Sequence, residues 1–246
     1  MNADKTSIAR LDETALRCAK TGRTCYTRFL DPAEMQLALA AARRARVEVK
    51  TWGGYPEAER GVAAFWEGGP PPEDWPFCCL HARWEARYAS LSHRDVLGAL
   101  MGLGMIRETI GDIIVQDGHI YVFVLEEMAD YVAANLTKAG SAPLHFKRLS
   151  EMPAIPPPGG VLFRDTVASL RLDAVLAAAY RLSRAEAAAV IREGKVRVDF
   201  IEETRPDALL SANALLSVRG MGRVRLKQVD GPTKKGRIAI ALFRYV

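Results

Sequence analysis

The sequence predicts an α+β protein of small modules in series: an N-terminal and a central α+β module, then a C-terminal module of two helices followed by strands. Three observations point there. Asp31-Pro32-Ala33-Glu34 and Ser183-Arg184-Ala185-Glu186 each carry the cap and third-position glutamate of a capping box. Asp117-Gly118 sits between two β-branched runs, the two-residue signal of a tight hairpin. Met152-Pro153-Ala154-Ile155-Pro156-Pro157-Pro158-Gly159-Gly160 cannot continue a helix or a central strand, because proline lacks the amide donor and fixes φ.

The elements follow in order. A helix is expected from Pro32 to about Arg44, then a strand over Val47–Trp52 that ends at Gly53-Gly54. Gly68-Gly69-Pro70-Pro71-Pro72 is a second, shorter break, and Phe77 to Trp84 reads as a strand. Ser92-His93-Arg94-Asp95 caps a helix reaching the glycines at 102 and 104. The hairpin pairs Ile113–Gln116 with His119–Val124; a helix from about Glu126 to Lys138 and a strand over Pro143–Leu149 follow. Beyond the proline run, Leu172, Val175, Leu176 and Ala179 make one helical face, and the capped second helix ends at Gly194. Strands are expected over 195–199, 215–219, 223–229 and 237–245, with turns at Gly220 to Gly222 and at Asp230-Gly231-Pro232. The expected modules are 1–76, 77–150 and 164–246, with 151–163 as linker and the middle one RNA-recognition-like.

The composition is that of an ordinary globular chain: 246 residues, 49% hydrophobic and 26% charged. No apolar run approaches the ~18 residues of a membrane span, and the N-terminus has no apolar stretch like a secretion signal, so a cytoplasmic protein without membrane association is expected. Cys18, Cys25, Cys78 and Cys79 form no Cys-x-x-Cys half-site and read as buried reduced thiols, with neither metal nor cofactor expected.

The formal net charge of +5 is unevenly placed. Residues 1–163 hold 18 basic and 20 acidic side chains, whereas 216–246 hold eight basic ones, Arg219, Arg223, Arg225, Lys227, Lys234, Lys235, Arg237 and Arg244, against Asp230 alone. Clustered cations gain free energy by releasing counterions from a polyanion. Upstream, Arg184 lies in a helix first turn, beside amides able to face a phosphate, and Lys195 and Arg197 project from one side of a strand. Arg219 and Arg223 flank Gly220-Met221-Gly222, where missing side chains allow close approach of backbone.

Four motifs, Arg171-Leu172-Asp173, Ser183-Arg184, Gly194-Lys195-Val196-Arg197-Val198 and Ser217-Val218-Arg219-Gly220, resemble the S-four-type (alpha-L) RNA-binding domain. Gly231-Pro232-Thr233-Lys234-Lys235-Gly236-Arg237 resembles more specifically the YlmH family, also called RqcP. The resemblance continues upstream through Phe29-Leu30-Asp31-Pro32, Gly53-Gly54-Tyr55 with Ala58-Glu59-Arg60, His93-Arg94-Asp95, Arg107-Glu108, Ile110-Gly111-Asp112-Ile113 and Asn135-Leu136-Thr137-Lys138, covering most of 29–246. Two positions depart from the pattern: Asp199 stands where Asn is usual, and Ala212-Asn213 replaces a Gly-Asp turn. A carboxylate at 199 would repel phosphate, so no nucleic-acid contact is carried to it.

The resemblance implies a non-enzymatic factor of bacterial translation. It binds large ribosomal subunits carrying peptidyl-tRNA and supports C-terminal tailing of stalled nascent chains, acting as a monomer beside a tailing factor. Carried onto this sequence, the RNA contacts are Arg171, Ser183, Arg184, Lys195, Arg197, Arg219, Arg223, Arg225 and Lys227, with Lys234, Lys235 and Arg237 as an electrostatic extension. Arg94 and Arg107 are secondary candidates, for which a plain surface role is preferred.

The rival class is an rRNA-modifying enzyme, since such enzymes often carry the same RNA-binding domain. A pseudouridine synthase places its catalytic Asp in an Arg-Leu-Asp motif, but Asp173 falls within a helix start with too little chain after it for a catalytic domain. A methyltransferase needs a Gly-rich strand-to-helix loop, and Gly102-Leu103-Gly104 follows a helix instead. His81, His93, His119 and His145 stand alone in the sequence, and Trp52, Trp66, Trp75 and Trp84 read as core residues.

Overall fold

The computed structural model describes residues 2–85, 90–116, 118–155, 159–233 and 236–245, and its chain divides into two compact units, Met1–Ile155 and Pro156–Val246. The first unit holds both the expected N-terminal and central modules. It opens with α1 (Asn2–Thr21), β1 (Cys25–Leu30), α2 (Pro32–Ala45), β2 (Glu48–Trp52) and β3 (Gly61–Trp66). The Asp31 carboxylate accepts from the Glu34 amide and the Glu34 side chain accepts from the Asp31 amide, so α2 starts where its capping box says. An antiparallel sheet in the order β1-β3-β2 packs with both helices through Leu11, Ala15, Ala38, Ala41 and Phe65.

Next come β4 (Phe77–Arg83), α3 (His93–Gly102), β5 (Ile110–Gln116), β6 (His119–Leu125), α4 (Ala129–Asn135), β7 (Lys138–Ala139), β8 (Ala142–Pro143) and β9 (Lys147–Arg148). The four-stranded sheet runs β5-β6-β4-β9. Its strands alternate. Leu80, Val122 and Val124 face a core shared with Val96 and Leu100 of α3 and Val132 of α4, while Phe77, Cys79 and Phe123 face Phe29 and Val62 of the three-stranded sheet. Two expectations are corrected here. The helix expected from Glu126 to Lys138 is a 3-10 turn followed by the seven-residue α4, because Leu144 N donates to Thr137 O and Lys138 pairs with Pro143 in a small hairpin that ends it. The strand expected over Pro143–Leu149 is split into β8 and β9, because Leu144 and Phe146 turn into the core between them.

The second unit is one six-stranded sheet, β10-β15-β14-β13-β11-β12, with α5 (Leu172–Tyr180) and α6 (Arg184–Arg192) on one face. Its strands are β10 (Gly160–Val167), β11 (Val196–Val198), β12 (Ile201–Glu202), β13 (Leu215–Val218), β14 (Gly222–Pro232) and β15 (Ile238–Tyr245). Leu172, Val175, Leu176 and Ala179 meet Val224, Leu226, Ile240 and Leu242 in the core, as the helical spacing predicts. Residues 160–163, expected as the end of the linker, form the first half of β10, which pairs with β15 along its whole length. The turn expected at Asp230-Gly231-Pro232 is strand: β14 runs to Pro232 and the reversal lies beyond it, where Thr233 N donates to Arg237 O.

Candidate nucleic-acid interface

The expected contact residues separate into three groups. The first surrounds Asp173, a carboxylate in the first turn of α5 that is 5% exposed. Arg171 donates to it from Nε and Nη2 at 3.3 and 3.2 Å, and Arg184 from Nη2 at 2.6 Å. Burial alone would raise the Asp173 pKa; the hydrogen bonds and charges of both arginines outweigh it and hold the carboxyl below its usual range. Arg171 and Arg184 keep about half of their side-chain surface, 43% and 49%, so two cations sharing one anion present a net single positive charge. Ser183 caps α6, accepting from Glu186 N at 3.1 Å, so its hydroxyl oxygen already has a structural duty. Arg184 also borders a shallow cleft of 280 Å³ with Arg237, whose guanidinium donates to Thr166 Oγ1 at 2.9 Å.

The second group is denser. Lys195, Arg197, Arg219 and Arg223 line a single open cleft of 460 Å³ with Ser217 and three glycines. Strand register makes it: Arg197 lies opposite Ser217, and Ser217 opposite Arg223, so three strands put Arg197, Ser217 and Arg223 in one row, with Lys195 and Arg219 at the adjoining strand ends. Arg219 N donates to Lys195 O at 3.0 Å, fixing the β13 exit beside the β11 entry. The turn between β13 and β14 needs φ of +81° at Gly220 and +86° at Gly222, and the Tyr180 hydroxyl donates to Gly222 O to hold it on α5. Lys195 carries an exposed ion pair with Glu193 at 2.6 Å, weak in water and readily exchanged for phosphate.

The third group has internal duties. Arg225 is half-buried, donating to the Tyr245 hydroxyl at 2.8 Å and to Asn213 O at 3.2 Å, so it braces the sheet. Lys227 lies over the Phe243 ring at 5.8 Å and Arg223 over Tyr245 at 5.3 Å. Arg244, the last cation of the basic segment, points the other way: its guanidinium donates to Ala179 O and lies 5.3 Å from the Phe163 ring centre. Lys234 and Lys235 lie outside the described residues.

Asp199 has a turn role that its carboxylate serves. It stands at φ +48° with Phe200 at +71°, between β11 and β12, and its Oδ1 accepts from Leu215 N at 2.8 Å.

Upstream, Arg94 is exposed on the first turn of α3. Arg107 is not the surface residue expected: it donates to Ile110 O and Gly111 O at 2.8 and 3.1 Å, and burial beside Arg60 lowers its pKa to about 10. The motifs around it form an internal joint. Asp112 accepts from the Tyr55 hydroxyl at 2.7 Å and from the amides of Glu59 and Arg60 at 2.7 and 3.1 Å, while the Arg60 guanidinium donates to Ile110 O, Phe29 O and Arg107 O. Gly54 belongs here because a Cβ at that position would fall 2.3 Å from the Phe123 ring. The four cysteines are buried and unpaired, and burial pushes the Cys78 and Cys79 thiols up to about 11 and about 12.

Sequence reasoning named the cations of the cleft but missed Ser217 and Glu202 among its walls, as well as the tyrosine beneath Arg223. The available signal was the two-residue alternation through Ser217-Val218-Arg219 and Arg223-Val224-Arg225. Among the described residues no helix is long and apolar enough to cross a membrane.

Comparison with known proteins gives three matches to family models. Residues 3–64 match the N-terminal domain of YlmH, 70–152 a putative RNA-binding domain in YlmH, and 170–215 the S4 domain. A Bacillus subtilis (strain 168) protein called ribosome-associated protein quality control protein P2 is 35% identical over 225 residues, spanning 90% of this chain and 88% of its own. A solved structure titled cell division protein ylmH, from Streptococcus pneumoniae, superposes with a TM-score of 0.52 at 17% identity, over 61% of this chain and 92% of that one. At that identity the likeness concerns the fold.

Proposed function

The chain belongs to the YlmH family, and on that premise we propose that it is an RNA-binding factor of ribosome-associated quality control. In this reading it binds the large ribosomal subunit carrying a stalled peptidyl-tRNA in the cytoplasm. There it acts as a monomer and supports C-terminal tailing of the nascent chain together with a tailing factor. The observation that carries the reading is the single cleft of Lys195, Arg197, Arg219 and Arg223. Arg197 and Arg223 on β11 and β14, with Lys195 and Arg219 at the adjoining strand ends, gather four cations in one cleft, and each phosphate contact would release a condensed counterion. Arginine forks suit bidentate phosphate contact, and the Gly220 to Gly222 turn lets a nucleotide backbone come close.

A non-catalytic role is supported at the one position resembling a catalytic motif. Asp173 of Arg171-Leu172-Asp173 is buried and bonded to two arginines, leaving it no open side from which to attack a base.

The test is sedimentation of extract from cells with induced ribosome stalling. The protein should migrate with large subunits bearing peptidyl-tRNA, and the Arg219→Ala, Arg223→Ala double variant should shift to the top of the gradient. Wild-type protein that stays at the top under stalling would refute the reading.

A further inference from the structure

The two faces of the four-stranded sheet in the first unit have different fates. One is covered by α3 and α4. The other is buried at one end, where Phe77, Cys79 and Phe123 meet Phe29 and Val62, and reaches solvent at its other end. There, register places His81 of β4 opposite Tyr121 of β6, and Arg83 opposite His119. His81 Nε2 and His119 Nδ1 are 2.8 Å apart. The ring centres are 5.1 Å apart and the planes differ by 20°. A hydrogen bond between ring nitrogens lies in the ring planes, so the two imidazoles sit edge to edge rather than one over the other. The Tyr121 ring is 4.9 Å from His81 and 6.1 Å from His119, tilted from them by 28° and 9°. At 4.9 Å the near-parallel Tyr121 ring overlaps the His81 ring rather than lying beside it, and all three rings are half-buried, so a stacked aromatic cluster borders water. Arg83 and Lys147, which lies opposite His81 on β9, are exposed along one side of it.

We propose that His81, His119 and Tyr121 form a stacking platform for an unpaired RNA nucleotide, with Arg83 and Lys147 receiving the adjoining phosphates. A partly exposed stack of near-parallel rings on two central strands, bordered by cations on one flank, gives a splayed base a stack to extend and its backbone a counter-charge. His81 Nε2 and His119 Nδ1 are bonded to each other, so these two nitrogens are not aimed at a shared ion. Desolvation, then His119 and Arg83, lower the His81 pKa, which favours the neutral His81 imidazole. The platform rests on the RNA-binding reading given above but lies in a different unit from the cationic cleft, so it engages a second stretch of RNA.

The experiment uses the full chain and a short single-stranded RNA carrying 4-thiouridine, with photo-cross-links mapped by mass spectrometry and affinity measured across a salt series. Adducts are expected on the β4 and β6 peptides holding His81 and Tyr121. The His81→Ala, Tyr121→Ala double variant should bind the RNA about tenfold more weakly with the salt slope unchanged, because stacking releases no counterions. His81→Phe with Tyr121→Phe, which keeps the rings, should retain most of the affinity. Should the alanine pair fail to fold in a thermal melt, the wild-type adducts and the phenylalanine pair decide. Adducts confined to 156–246, or wild-type affinity in a folded alanine pair, would overturn the platform. In that event a weakened Arg219→Ala variant in the same assay leaves the cleft reading standing. Absence of RNA binding by the wild-type chain would remove both.

Discussion

Each unit contains a carboxylate beside two arginines, and the pairs are used in opposite ways. Around Asp112, the half-buried Arg60 and Arg107 guanidiniums are spent on backbone carbonyls of the joint. Around Asp173 the anion is buried while Arg171 and Arg184 remain about half exposed. The first arrangement satisfies orphan carbonyls where two sheets meet, and the second holds cations at a surface in a fixed pose. The same residue types thus brace a joint in one unit and make a cationic patch in the other, and the difference lies in whether the guanidiniums donate to backbone carbonyls or to the carboxylate.

The contrast can be broken most severely at the joint. Asp112→Ala leaves the Tyr55 hydroxyl and two amides without their acceptor, so the chain should lose about 2–4 kcal/mol in a denaturant titration. RNA affinity per folded molecule should not change. In the other unit, Asp173→Asn should lower stability by about 1–2 kcal/mol, because the partners are half exposed and find water instead. It should also tighten RNA binding, since the patch gains a full positive charge.

The two aspartates should also part company in acid. The folded-state pKa of Asp173 is depressed, so its contribution is present above the unfolded value and is lost as pH falls through the folded one, below about pH 4. Burial raises the pKa of Asp112, so its contribution has the opposite sign: present below the unfolded value and lost as pH rises through the folded one. Denaturation midpoints of the Asn variants from pH 5 downward check this: Asp173→Asn should flatten the acid loss, and Asp112→Asn should not.

A finer distinction separates the cations themselves. Arg219→Ala should make the salt dependence of RNA binding shallower by about 0.7 to 0.9 in log-log slope, whereas Arg184→Ala should give less than half that, because Arg184 is already neutralised in part by Asp173. The smallest effect is expected for Tyr245→Phe, which removes the acceptor of Arg225: about 0.5–1 kcal/mol in stability and almost nothing in affinity.

Features written in a few neighbouring residues were legible. The capping boxes at Asp31 and Ser183 start α2 and α6, and Gly118 at φ +77° separates β5 from β6. The apolar face of α5 points into the core as its spacing requires. Other segments were passed over although they carried a signal. Leu11, Ala15 and Cys18 repeat at helical spacing in α1, and β10 starts directly after a glycine-proline run that hides it. The motifs Tyr55 with Ala58-Glu59-Arg60 and Ile110-Gly111-Asp112 were visible as patterns, but their joining by hydrogen bonds was not.

By itself the sequence determined the helix starts, the position of the long hairpin, the two-helix order of the second unit and the confinement of excess charge to its last stretch. Each rests on caps, turns or composition, which act over a few residues. Only the tertiary structure decided what the charged and aromatic side chains do. It bonded Arg107 to backbone carbonyls, tied Arg225 to Tyr245, turned Arg244 inward and gave Asp173 two arginines. It also brought together His81 and His119, separated by 38 residues, through the register of β4 and β6. A side chain's partners are set by strand register and by the face it occupies, and both are fixed by contacts distant in the chain.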